Sequence, residues 1–315
     1  AAMTLALMAM ILYGGIITGY LQQMERTILE IEVGDVQIHA EGYRKDRSIY
    51  KRVANPGAIV AALKLRHDAG TGPFTGQSCD NLQGNGAILR QTVISLARLT
   101  DPDLADWIDS NCSFPNSMVD CIVPATGPNE LALVREAFGI ADAAPVTHEN
   151  FRQWVIEDDF CAGRPDWDKV GATFSNRVHD FETMKLRILN AGHQLLANAG
   201  ELLSVETISG CMENAAIRGF FGRVQRDEIQ QQVEPVPGMT PADYIDLVER
   251  RFSNPKIIDT TRRVAFDGSS RHGGFLHPMI HERLASGHSI DGLALAEARW
   301  ARMCEGTRED GTTID

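Results

Sequence analysis

The sequence is short of positive charge. Its 30 Lys and Arg face 42 Asp and Glu, a formal charge of -12. A surface that acidic repels phosphate backbones, so nucleic acid is not expected as a partner. Paired cysteines are also missing. Cys79, Cys112, Cys121, Cys161, Cys211 and Cys304 are scattered, and no C-x-x-C occurs. Neither a zinc site nor a disulfide framework is signalled. Reduced thiols in a cytoplasmic protein are expected instead. There is no internal repeat and no low-complexity linker. One long apolar run exists, AAMTLALMAMILYGGIITGY at the start, and the first charged residue is Glu25. About 20 apolar residues can span a bilayer. However, no basic segment precedes the run, the acidic ERTILEIEVGD follows it, and Gly14, Gly15 and Gly19 interrupt it. Membrane association is therefore not the expectation. A chain that opens without Met fits processing or truncation.

What is present is enough apolar material, 43% of 315 residues, for one large domain or two ordinary ones. TILEIEVGDVQIHAEGY alternates and reads as one or two strands. NPGAIVAALKLRHDAG reads as a helix closed by Gly70, and GPFTGQSCDN as a strand running into a loop. From about Asn85 the pattern becomes helical, in GAILRQTVISLARL, NELALVREAFG, ETMKLRILNAGHQLLANAGELL, TPADYIDLVERRF and HPMIHERLASG. The order reads as the tail of an α/β domain followed by a mostly α-helical domain. The expected divisions are an apolar segment 1–25, a partial α/β domain 26–125 and a helical domain 126–315.

The helix around FETMKLRILNAGH carries four polar residues of chemical interest. With Glu182 at zero and about 100° per residue, Lys185 falls near 300°, Asn190 near 80° and His193 near 20°. All four share an arc of about 140°, with Leu186 and Leu189 among them. Met184, Ile188, Ala191 and Leu195 lie opposite, between about 180° and 240°. A lysine held against apolar surroundings has its charged form disfavoured and its pKa lowered, as a general base near neutral pH requires. A solvated stripe with an i,i+3 Glu–Lys pair is the alternative from spacing alone.

Lys185, Asn190 and His193 form K-x4-N-x2-H, which resembles the signature of the polyol-specific long-chain dehydrogenases. SCDNLQGNG (78–86), FPNSMVDCIVP (114–124), QWVIEDDFCAGRPDW (153–167) and DTTRRVAFDGSSR (259–271) resemble further blocks of that family, in order. IDGLALAEARWARMCEG is most similar to its mannitol 2-dehydrogenase branch. The resemblance covers roughly residues 50 to 315. It implies an α/β remnant of a Rossmann-type domain followed by the helical catalytic domain. It also implies NAD(P)-dependent interconversion of a sugar alcohol and a ketose, of the mannitol/fructose type. The cofactor implied is NAD, with NADP open, and the partner a sugar alcohol or ketose.

The same resemblance implies roles. Lys185 takes the hydroxyl proton, Asn190 and Asn81 hold the developing alkoxide by amide donors, and His193 orients the substrate. Glu182 relays the lysine's proton towards solvent. Asp120, Arg263 and Arg271 bind substrate hydroxyls, although Arg271 stands where some members place a lysine, as in D-G-S-x-K. No metal is implied. His277 and His281 stand at i,i+4 but lack an apparent third ligand.

One departure concerns the cofactor. A Rossmann domain carries G-x-G-x-x-G at the pyrophosphate, and none occurs here. GGIITG has the wrong spacing and the GNG of LQGNGAILR lacks a third glycine. Cofactor-binding residues are therefore left unassigned, and roughly the first hundred residues of the family pattern are expected to be missing or replaced. A catalytically incomplete fragment, a pseudoenzyme domain or a fructuronate-type reductase stays open as an alternative. A monomer or weak oligomer is expected.

Overall fold

Pro56, Pro102, Pro128 and Pro241 each open a helix, where the missing N–H is one the helix leaves unpaired anyway. These helices belong to a computed structural model that describes residues 56–124 and 126–314. The apolar run 1–20 and the alternating pattern 27–43 lie outside the described residues. Among the described residues no helix is long and apolar enough to cross a membrane.

Contacts divide the chain into two units. Among the described residues, the first comprises 56–119 and Gln153–His179, the second 120–152 and 180–314. By contacts the division is interleaved. The chain enters the second unit at Asp120, returns to the first at Gln153, and leaves it after His179.

In the first unit, α1 (Pro56–Asp68), α2 (Asn85–Arg98) and α3 (Pro102–Asn111) share one apolar core. It includes Leu63, Leu89, Val93, Ala97, Leu104, Ile108 and Phe114. Asp101 caps α3 by accepting the Leu104 N–H at 3.0 Å. Strands β1 (Ser117–Asp120), β2 (Gln153–Ile156) and β3 (Thr173–Phe174) form a small sheet in that order. Strands β2 and β3 are parallel, pairing Val155 with Thr173 and Ile156 with Phe174. The strand expected in GPFTGQSCDN is reduced to a single parallel bridge, Thr75 to Ser113. Pro73 has no N–H to donate, and Gly72 sits at φ 87, outside strand geometry.

In the second unit, helix α4 (Pro128–Phe138) follows β1. The centre is then one long helical segment made of α5 (Val178–Met184), a π-helical turn (Lys185–Asn190) and α6 (Ala191–Leu202). Apart from His193, every residue of α6 is buried. Around it lie α7 (Ile208–Glu213), α8 (Ala215–Arg223), a second π turn (Val224–Ile229) and α9 (Pro241–Phe252). The chain continues through α10 (Thr261–Ala265), α11 (Gly268–Arg271), a third π turn (His272–Leu276), α12 (His277–Ala285) and α13 (Asp291–Met303). Thr240 and Asp243 close a capping box on α9. That helix buries Tyr244, Ile245, Val248, Arg251 and Phe252, a single face at helical spacing.

Candidate active site

The π turn alters the geometry that a regular helix gives to K-x4-N. In an α-helix, residues five apart point about 140° away from each other. In a π turn the hydrogen bond spans five residues, so i and i+5 close one turn and return to the same side. Here the Ala191 N–H is shared between the Ile188 carbonyl, three residues earlier, and the Leu186 carbonyl, five residues earlier. Lys185 and Asn190 bound this turn. A uniform 100° wheel is therefore wrong across it, and the two residues lie closer in angle than such a wheel places them.

The solvated alternative for the stripe does not hold. Glu182 is 6% exposed and Lys185 7%. Burial pulls the Lys185 amine below its ordinary pKa, and the charge of Arg251 lowers it further. Asp120 and Glu182 act the other way. His193 lies within reach of the same charges. Its ring stacks on Phe252, with centroids 4.3 Å apart and planes 27° apart. Burial, together with Arg263, Arg271, Arg251 and Lys185, pushes it down to about 3, so the imidazole is neutral at physiological pH. Its Nε2 is buried and has no hydrogen-bond partner among the described residues. Asn190 is half-buried.

Asp120 was expected to bind substrate hydroxyls. It ends β1, is 2% exposed and has both oxygens engaged within the protein. Arg251 donates to Oδ1 at 2.7 Å and to Oδ2 at 2.9 Å, and the Tyr244 hydroxyl donates to Oδ2 at 2.5 Å. The same guanidinium donates to Glu149 at 2.6–3.1 Å. It also lies over the Phe151 ring, 4.3 Å from the centroid. Burial works against the Arg251 charge, but the bonds to Asp120 and Glu149 outweigh it and raise its pKa. Burial beside Asp120 raises the Tyr244 phenol well above its usual value. Sequence reasoning missed Arg251. Its signal was available: a charge on the apolar face of α9, which needs a buried partner.

Arg263 is held by Asp259 through two bonds of 2.6 Å. Arg271 is half-buried, and its guanidinium has no ion pair or hydrogen bond among the described residues. Burial and the neighbouring Arg263 lower its pKa, against Asp267 and Asp259. The second unit thus gathers Glu182, Lys185, Asn190, His193, Asp120, Arg263 and Arg271. Asn81 belongs to the first unit. It is exposed, and its N–H donates to Asp80 Oδ1 at 2.8 Å. That loop is tied to β1 by Asn85, whose amide donates to the carbonyls of Asp80 at 2.9 Å and Ser117 at 2.8 Å.

His277 Nε2 lies 3.3 Å from Glu297. No group of three metal ligands occurs among the described residues.

A dinucleotide pyrophosphate needs free N–H groups at a helix N-terminus. Helix α2, behind the GNG stretch, does not offer them. The N–H groups of Gly86 and Ala87 both donate to Asn116 Oδ1, at 3.0 and 3.2 Å. A Cβ added at Gly86 would stand 2.4–2.5 Å from the backbone of Phe114 and Pro115, so this glycine serves packing. Asp101 occupies the corresponding place on α3. Neither helix start fits the pyrophosphate.

Two family models match the chain. The mannitol dehydrogenase Rossmann domain matches residues 17–169 and the mannitol dehydrogenase C-terminal domain residues 177–315. A mannitol 2-dehydrogenase from Cereibacter sphaeroides is 49% identical over 82% of this chain and 54% of its own length. A D-mannonate oxidoreductase from Escherichia coli is 42% identical over 82% of this chain and 53% of its own. Among solved structures, the Pseudomonas fluorescens mannitol 2-dehydrogenase ternary complex with NAD and D-mannitol is 38% identical with a TM-score of 0.76. The match covers 85% of this chain and 54% of that one. A substrate-free D-sorbitol dehydrogenase is 34% identical with the same TM-score, over 87% of this chain and 56% of that one. The chain spans about half the length of the curated relatives it matches. On the two consecutive family models and the shared fold, the chain belongs to the mannitol dehydrogenase family, with a Rossmann-type N-terminal domain and a helical C-terminal domain.

Proposed function

We propose that the protein to which this chain belongs interconverts a sugar alcohol and a ketose, as the mannitol 2-dehydrogenases do, with Lys185 as the acid–base residue. The observation that carries the reading is a buried amine of lowered pKa within electrostatic reach of a neutral His193 whose Nε2 has no partner among the described residues. In its neutral form Lys185 takes the proton of a secondary hydroxyl. The Asn190 amide donates to the oxygen as negative charge develops on it. His193 Nε2 offers a neighbouring hydroxyl its missing partner and so fixes which carbon faces the hydride acceptor. Glu182, one turn before Lys185, passes the proton outward. The hydride acceptor proposed is a nicotinamide dinucleotide, of the NAD type.

Replacement of Asn190 separates stabilisation of the alkoxide from simple binding. Asn190→Ala is expected to lower turnover by about 10²–10³-fold, the range for one lost oxyanion donor, with a smaller change in the Michaelis constant. An effect on the Michaelis constant alone would reduce Asn190 to a substrate contact.

A second reading rests on Arg271. A half-buried guanidinium next to Arg263, with no acidic partner of its own among the described residues, suits a carboxylate better than a hydroxyl. The substrate would then be a sugar acid, oxidised or reduced by hydride exchange with the nicotinamide, with the same lysine as acid–base residue. A panel of hexitols, ketoses and hexonates assayed for NAD reduction or NADH oxidation decides between the two. Under the first reading the hexitol is preferred, and Arg271→Gln changes its Michaelis constant only modestly. Under the second the hexonate is preferred, and Arg271→Gln abolishes that preference. No turnover of any member of the panel would sink both.

A further inference from the structure

Gln225 is a buried amide with no place in the chemistry above. It is 0% exposed and lies in the second π turn. Its Nε2 donates to the Ile188 carbonyl at 2.8 Å, inside the first π turn. Its Oε1 has no hydrogen-bond partner among the described residues. A fully buried amide is costly unless its bonds are made, so the bond to Ile188 is its anchor. In a regular helix the Ile188 carbonyl would belong to the N–H of Gly192, four residues on. Side chains that insert into this ladder are a recognised cause of helix irregularity.

Gly192 makes the insertion possible. A Cβ at that position would stand 2.7 Å from Gln225 Nε2 and 2.9 Å from the Phe221 ring. The missing side chain is the channel through which the amide reaches the backbone. The glycine of N-A-G-H therefore has a steric reason independent of helix propensity, which disfavours it there.

We propose that Gln225 is a positioning residue: by holding the Ile188 carbonyl it maintains the π turn that brings Lys185 and Asn190 to one side of the helix. The proposal rests on the reading of Lys185 as the acid–base residue. Without the clamp the turn relaxes to α geometry, which shifts one flank by about 100°. Helix α6 is buried almost throughout and α5 is a seven-residue segment, so α5 and Lys185 are the flank that moves.

The test uses Gln225→Leu in the full chain. Competitive labelling with an amine-reactive anhydride across pH reads the Lys185 midpoint directly and needs no turnover. In the parent protein that midpoint reflects burial and the charges of Asp120, Arg251 and Glu182, with His193 nearby and neutral. The expected result is a midpoint that climbs towards the ordinary lysine value, while circular dichroism and cooperative urea unfolding stay native. Turnover should fall by about 10²-fold with the Michaelis constant changed far less. A folded Gln225→Leu protein with the parent midpoint and parent turnover overturns the proposal. If Gln225→Leu does not fold, Gly192→Ala carries the test, because its methyl displaces the amide and leaves Gln225 present. Failure of both to fold makes Gln225 a core residue only and also overturns it. If the parent protein oxidises no polyol, the dehydrogenase reading fails, and the labelling arm still decides the role of Gln225.

Discussion

Lys185→Ala is expected to lower turnover by roughly 10³-fold or more, because general base and alkoxide partner are lost together. A small exogenous amine should restore part of the rate by diffusing into the space vacated. The pH profile carries the same information without mutation. Alcohol oxidation needs the neutral amine, so its rate should rise with pH through the Lys185 pKa and then level. Ketone reduction needs the ammonium and should fall over the same window. Burial, with Arg251 in support, holds that pKa below the ordinary lysine value, while Asp120 and Glu182 limit the drop. The limb should therefore lie below the usual lysine range. Stopped-flow or steady-state rates in both directions give it. Parent turnover in Lys185→Ala, or a limb at the ordinary lysine value that survives the substitution, would remove Lys185 from the acid–base role.

The helical half was legible because its apolar spacing is strong. The expected stretches at 86–99, 129–139, 240–252 and 277–287 correspond to helices at 85–98, 128–138, 241–252 and 277–285. Helices α3, α7, α8 and α13 were not drawn from periodicity. The segments at 208–213 and 215–223 are short, and each has its own polar N-cap, Thr207 and Asn214. The interleaving of the units could not be read, because it depends on which loops pack together and not on composition. The family blocks proved to be mutually bonded. Asn116, from FPNSMVD, caps the helix that follows SCDNLQGNG and also donates to Glu157 of the EDD stretch at 2.9 Å. Ser113 donates to Asp159 of the same stretch at 3.1 Å. The EDD carboxylates thus tie segments together in the first unit. Lys185, Asn190 and His193 were legible as a constellation. The π turn that sets their angle was not, since its cause is an amide on another element, 37 residues away in sequence. Arg251 was hidden for a related reason. Its partners Asp120 and Glu149 stand 131 and 102 residues before it.

Removal of Arg251 is expected to give the largest loss of stability among single substitutions in the second unit. Its side chain is 4% exposed, and so is that of Glu149, while that of Asp120 is 2% exposed. A buried pair contributes little beyond a well-packed apolar replacement of the whole, but removing one partner leaves the other charges uncompensated. Here two carboxylates are left. Arg251→Met should therefore cost about 3–5 kcal/mol in urea unfolding, the range for breaking a buried pair. Arg251→Lys should lie between, since one ammonium keeps the charge but cannot span both carboxylates as a planar fork does. The same variants test the electrostatics of the site. The charge of Arg251 lowers the Lys185 pKa and that of Asp120 raises it. Deleting the guanidinium removes the first influence and leaves the second unopposed. In Arg251→Met molecules that remain folded, the limb for alcohol oxidation should move to higher pH, and Arg251→Lys should move it less. A loss below about 1 kcal/mol, the range of exposed ion pairs, would mean that the cluster is hydrated in solution. A limb displaced to lower pH would show that Asp120 has left the neighbourhood of Lys185 once its clamp is gone.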